Sequence, residues 1–191
     1  MRRPPRSFAF LLALVAAHGC QSGARAVDDA ALQAADADSA DWLSYGRTCT
    51  KQRHSPLTQV NTQTVSRLGL AWSADLQTLH GLAATPLVSD GVMYVSSAWS
   101  IVYAFDGKTG VQKWKFDQAV PKDHGKFACC DVVNRGVALY KGHVYVGTID
   151  GRLIALDQQS GTAEDITADQ ARMIEADVPV QARRGAGASI P

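Results

Sequence analysis

Gly91-Val92-Met93-Tyr94-Val95, Val102-Tyr103-Ala104-Phe105-Asp106 and Lys108-Thr109-Gly110 recur as Gly142-His143-Val144-Tyr145-Val146, Leu153-Ile154-Ala155-Leu156-Asp157 and Gln159-Ser160-Gly161. Gly91 and Gly142, Ala104 and Ala155, and Gly110 and Gly161 are each 51 residues apart, so the two copies align without a gap. Each copy strings short β-branched and aromatic runs between Gly, Asp and Ser turns. Asp90-Gly91 and Asp150-Gly151, each between apolar runs, are hairpin signals. A fixed period of this size in all-β sequence predicts propeller blades rather than a sandwich.

The unit makes physical sense. Ala104 is small where neighbouring sheets would crowd. Asp106 and Thr109-Gly110 shape a tight turn, the Asp by bonding nearby backbone and the Gly by accepting positive φ. Trp114 then returns on the next strand as an apolar plug between blades. The second copy breaks here: the equivalent of Trp114 falls at Asp165, and the strand pattern ends at Ala163. The stretch 163–191 is rich in Ala, Arg and Asp. It is expected to be an aberrant or disordered tail, as from a disrupted reading frame. The competing reading is a helix over 167–176 followed by a disordered end.

Outward from the repeats, 27–69 reads as a lead-in, Ala/Asp-rich to Ala40 and changing character at Trp42. Residues 1–26 read as an export signal: Arg2, Arg3 and Arg6 precede the apolar run Phe8 to Ala17, which is too short to span a membrane. Cleavage after Ala26 competes with a lipoprotein junction at Gly19-Cys20. The chain is therefore expected in the periplasm, with no transmembrane span. With Lys+Arg 19 against Asp+Glu 18, no basic surplus suggests nucleic acid. The five histidines show no metal-ligand spacing, and no Cys-x-x-Cys-His attaches a haem.

The chemically informative run is Cys129-Cys130-Asp131-Val132-Val133-Asn134-Arg135-Gly136. Adjacent Cα atoms lie about 3.8 Å apart, under the usual disulfide range of about 4.4–6.8 Å. A bond between Cys129 and Cys130 would close a small, strained ring; the alternative is a pair of buried free thiols. Cys49 is the third cysteine of the exported chain and the odd one.

This run resembles the quinoprotein alcohol dehydrogenases, which use pyrroloquinoline quinone (PQQ). Trp42 to Thr48 and Gln52 to Leu57 resemble that family's opening segment, and Leu68-Gly69-Leu70-Ala71-Trp72 its first blade strand. Ala84-Thr85-Pro86-Leu87-Val88 and Asp90 to Val95 follow in family order, and Tyr103 through Trp114 looks like its tryptophan docking motif. The resemblance implies that 70–162 form a partial β-propeller, about two blades of an eight-bladed ring with PQQ in the central channel. It implies a Cys129–Cys130 disulfide covering one face of the quinone, Val133 packed beside it and Arg135 paired with a PQQ carboxylate. It implies Ca²⁺, a small primary alcohol as substrate and a cytochrome c-type electron acceptor. The family's calcium ligands, catalytic base and stacking Trp match nothing after Thr162, so the chain is expected to be catalytically incomplete. Ala83 stands where the family has a Glu that contacts PQQ. The second reading is a non-catalytic propeller-repeat assembly lipoprotein; the double-cysteine run and Asn134-Arg135-Gly136 argue for the enzyme.

Overall fold

The computed structural model describes residues 26–166. The expected signal peptide and most of the expected tail lie outside the described residues.

Eight strands form two four-stranded antiparallel sheets, each in sequence order. The first holds β1 (Leu87–Ser89), β2 (Val92–Ser96), β3 (Val102–Asp106) and β4 (Gln112–Phe116). The second holds β5 (Ala138–Tyr140), β6 (His143–Gly147), β7 (Leu153–Asp157) and β8 (Ala163–Glu164). The repeat of 51 residues is thus one sheet stacked on the next, as in a propeller, and the partial propeller expected from the sequence is what the chain forms.

The turns explain the period. Asp90 and Gly91 both take positive φ (50° and 73°), and Lys141 and Gly142 do the same in the second sheet (46° and 80°). These are the two-residue turns whose twist suits a hairpin. Between β3 and β4, Asp106 Oδ1 accepts from the Thr109 N–H and hydroxyl, both at 2.8 Å. Asp157 Oδ1 does the same for Ser160, both at 2.7 Å. Gly110 and Gly161 close these turns at φ 73° and 71°. Asp150-Gly151 lies in a longer β6–β7 loop, closed by Thr148 N–H donating to the Arg152 carbonyl (2.8 Å).

The sheets join face to face. Leu87, Tyr94, Ala104 and Trp114 are neighbours across the first sheet. All four are buried in one core with Leu139, Val144, Val146 and Leu156 of the second. Ala104 must be small because the rings of Tyr94 and Trp114 flank it, their centroids 5.9 Å apart. The indole of Trp114 lies flat against Gly161: a Cβ built there would stand 2.6 Å from ring atoms Cδ2 and Cε3. Trp114 Nε1 (3.3 Å) and the Tyr94 hydroxyl (3.2 Å) both donate to the Gln158 carbonyl. The far face of the first sheet receives Trp72 in the same manner. Its ring lies over Gly110 and its Nε1 donates to the Gly107 carbonyl (3.0 Å).

Three differences from the sequence expectation follow. The strand expected over Leu68 to Trp72 is not formed; strands begin at Leu87, and Leu68 and Leu70 are exposed because no described strand pairs with this segment. The strand pattern does not end at Ala163, since Ala163–Glu164 form β8. The sheet register also moves the tryptophan equivalent. Ala104 faces Trp114 through a bulge that skips Lys113, whereas Ala155 faces Glu164 without one. Glu164, not Asp165, takes the place of the indole.

The lead-in packs on both sheets. A short helix, α1 (Asp29–Gln33), is capped by Asp28, whose carboxylate accepts from Ala31 N–H at 2.8 Å. Val27 is buried, and its carbonyl accepts from Lys141 N–H (2.6 Å). Trp42 exchanges backbone hydrogen bonds with Val88 beside β1 (2.8 and 3.0 Å). Arg47 is buried and donates to the carbonyls of Ala35 (3.1 Å) and Asp38 (2.7 Å), which closes the lead-in on itself. Among the described residues no helix is long and apolar enough to cross a membrane.

Candidate functional site

Asn134 builds the site. It sits in the crossover from β4 to β5, and its amide satisfies four groups from three elements. Oδ1 accepts from Ser96 Oγ at the end of β2 (2.6 Å) and from Gly136 N–H (3.0 Å). Nδ2 donates to the Gly147 carbonyl at the end of β6 (2.9 Å) and to Ser100 Oγ (3.2 Å). The double-cysteine turn is thereby fastened where the two sheets end side by side. The segment before β1 runs along it: a Cβ at Gly81 would meet Val133 Cγ1 at 3.7 Å, and one at Gly136 would meet the Thr85 carbonyl at 3.5 Å. Ala83 is on that segment and exposed.

Cys129 and Cys130 are both exposed free thiols in this structure, so the expected bond between them is not formed. They are neither the buried pair nor the strained ring. Hydrogen bonding to the neighbouring Cys129 thiol, more than its charge, pushes the Cys130 thiol up, while the nearby Arg135 guanidinium acts against the rise. Cys49 is also free and exposed. Val133 is half-buried and Arg135 exposed. Among the described residues no hydrogen bond or ion pair ties down the Arg135 guanidinium. Asp131 follows in left-handed conformation (φ 68°). Its carboxyl is held below the usual range, first by the Val132 N–H at 2.7 Å and then by His80, whose Nδ1 donates to Oδ1 at 2.8 Å. The turn thus presents two adjacent exposed thiols, a half-buried aliphatic side chain and a cation with no partner among the described residues.

Trp99 is the neighbour that sequence reading missed. It lies in the β2–β3 loop, where Trp99 and Ser100 take φ 61° and 62°. The second repeat has Asp150-Gly151 at these positions, so the first repeat puts a Trp and a Ser where its copy uses a glycine turn. Positive φ in a bulky residue is strain of the kind that accumulates at functional sites. Its backbone N–H donates to the Val132 carbonyl (2.8 Å). Lys122 Nζ stands 4.0 Å over its ring, and His80 meets it edge-on at 6.1 Å. The ring also lies on Gly125, where a Cβ would come within 2.9 Å. The repeat alignment carried this signal, because the mismatch of Trp99-Ser100 with Asp150-Gly151 is visible in it. His80, by contrast, left no trace in sequence spacing.

Stacked four-stranded sheets joined by a tryptophan plug, with a double-cysteine crossover at their shared end, define a quinoprotein-type propeller. The glucose/ethanol/alcohol dehydrogenase β-propeller family (PQQ) matches residues 42–173, and the chain belongs to that family. Quinohemoprotein alcohol dehydrogenase ADH IIB of Pseudomonas putida is 48% identical over 163 residues, covering 85% of this chain and 23% of that protein. The 1-butanol dehydrogenase (cytochrome c) of Thauera butanivorans is 49% identical over 121 residues, 63% of this chain and 18% of that one. The solved quinohemoprotein alcohol dehydrogenase of Comamonas testosteroni superposes with a TM-score of 0.70 at 49% identity, over 72% of this chain and 20% of that one. The chain therefore spans about a fifth of the length of the relatives it matches.

Proposed function

We propose that this chain supplies the first part of a PQQ site in a periplasmic alcohol dehydrogenase that oxidises primary alcohols to aldehydes. The observation that carries the reading is the pairing of two adjacent, exposed cysteines with an exposed guanidinium that has no partner among the described residues. The fit to the cofactor is chemical. PQQ is flat and carries carboxylates; a rigid sulfur surface suits its ring, and a permanent planar cation suits a carboxylate. Cys129 and Cys130, joined by oxidation after export, would cover one face of the ring, with Val133 packed at its edge and Arg135 on a carboxylate. When bound, PQQ supplies the two-electron acceptor for the alcohol. This chain's residues bind and orient it: Asn134 holds the turn, and the turn holds the cation.

Other parts of the site come from elsewhere in this reading. Calcium, a general base and cover for the second face are assigned to no described residue, and no group of three or more His, Cys, Asp and Glu among those residues is placed for a metal. We propose accordingly that the chain by itself is catalytically incomplete. The Thauera relative is a 1-butanol dehydrogenase (cytochrome c), which supports a cytochrome c acceptor for the whole enzyme, and the N-terminal residues 1–26 support export. The test is a chimera in which residues 42–166 replace the matching segment of the Comamonas testosteroni enzyme. Dye-linked, PQQ-dependent alcohol oxidation is expected to survive, and Arg135→Ala is expected to lower PQQ retention at least tenfold, the scale of one charge-assisted contact. A chimera that folds and holds PQQ equally well with and without Arg135 would overturn the assignment.

A further inference from the structure

His80 closes a circuit around the double-cysteine turn. Its Nδ1 donates to Asp131 Oδ1 at 2.8 Å, and its ring edge rests on Trp99. The same Asp131 oxygen accepts from Val132 N–H (2.7 Å). The Val132 carbonyl in turn accepts from Trp99 N–H (2.8 Å). The circuit links three segments distant in sequence: the stretch before β1, the β2–β3 loop and the cysteine turn. Two of its members, Trp99 and Asp131, have left-handed backbone, which a non-glycine residue keeps only when its surroundings hold it there. Val132 is buried, so the turn is anchored from below by packing. From the solvent side the side chain that grips it is His80.

We propose that His80 is a positioning residue for the Cys129–Cys130 pair: by holding the Asp131 carboxylate it fixes the turn that carries the two adjacent sulfurs. The proposal rests on reading that turn as the cofactor-binding element, but its test does not use the cofactor. Oxidation joins the two sulfurs and releases two protons, and the two electrons reduce oxidised dithiothreitol to its dithiol. A clamped turn has already lost the freedom that ring closure would remove, so His80 favours the disulfide. Releasing the clamp gives freedom back to the dithiol.

The experiment equilibrates the full chain in oxidised and reduced dithiothreitol, traps free thiols with maleimide and quantifies the Cys129–Cys130 peptide by mass. His80→Ala is expected to shift the equilibrium about threefold toward the dithiol, the scale of one side-chain hydrogen bond. His80→Asn keeps an N–H donor near the Nδ1 position and is expected to recover most of the shift. His143→Ala removes another histidine–carboxylate pair, with Glu164 (2.7 Å), away from the turn, and is expected to change nothing. Equal constants for wild type and His80→Ala, or no recovery with His80→Asn, would overturn the proposal. Failure of the PQQ reading would appear instead in the chimera carrying Arg135→Ala and leave this equilibrium untouched.

Discussion

Gly161→Ala tests the joint between the sheets most directly. Two separable effects add there. Gly161 has φ 71°, and an L-residue in that conformation costs about 1–2 kcal/mol. The new Cβ would also stand 2.6 Å from Trp114 Cδ2 and Cε3, inside any real carbon–carbon contact. Trp114 is 8% exposed and pinned by its bond to the Gln158 carbonyl, so the ring cannot swing away without breaking the core. Overpacking of this kind costs about 1–3 kcal/mol. Gly142→Ala provides the comparison: its φ is 80°, and nothing lies within 4 Å of a Cβ there. It carries the conformational cost alone. The difference between the two variants, about 1–3 kcal/mol, is the ring contact. With a urea slope of about 1.5 kcal/mol/M, that difference separates their midpoints by about 0.7–2 M. Urea titration followed by far-ultraviolet circular dichroism reads it. Midpoints that coincide would show that the indole does not hold the sheets together in the way described.

Asp150 has its carboxyl lowered to about 2, first by Arg152 and then by Thr148. Its folded value lies below its unfolded one of 3.8, so its contribution is complete above that value and is lost as pH falls toward about 2. Asp150→Asn should remove this part of the acid transition, and a carboxyl titration by NMR that places Asp150 at its ordinary value would contradict the geometry. In the chimera, Ala83→Glu is expected to tighten PQQ retention, because Ala83 lies on the segment that passes Val133; unchanged or weaker retention would place that segment away from the cofactor. Mass mapping of oxidised, exported protein is expected to find Cys129 joined to Cys130 with Cys49 free. A Cys49 bond to either would mean that the turn opens before it oxidises.

Much of this molecule was legible in the sequence, because its repeat is dictated by local chemistry. Asp90-Gly91, Asp106 with Thr109-Gly110, and the small Ala104 beside Trp114 are each decided within a few residues. The pairing of β1 to β4 follows from them. The cysteine turn was legible for the same reason, since adjacency is a local fact. What could not be read depends on contacts between distant segments. The His80–Asp131 pair joins residues 51 positions apart. The role of Asn134 depends on Ser96 at the end of β2, Ser100 in the loop that follows and Gly147 at the end of β6 arriving together. The segment Leu68 to Trp72 has strand-like sequence but no described partner to pair with, and β pairing is a property of two strands rather than one. The shift from Asp165 to Glu164 depends on a bulge in the first sheet that the second lacks, a one-residue difference that a gapless alignment cannot express.

The tryptophan joint is directional. The first sheet carries a plug, Trp114, on one face and a socket, Gly110, on the other, so contact through such a joint is head to tail and never self-complementary. Repeated rotation through such joints either closes into a ring or grows without end. Trp114 fills the socket of the second sheet, and Trp72 fills that of the first although it belongs to neither. Trp72 thus stands where the outermost strand of a preceding sheet would put its plug. In a closed ring the sheet preceding the first is also the last, so residues 68–72 would be that sheet's missing strand. The earliest part of the propeller sequence would then complete the latest. The exposed Leu68 and Leu70 are the apolar side chains such a closure would bury.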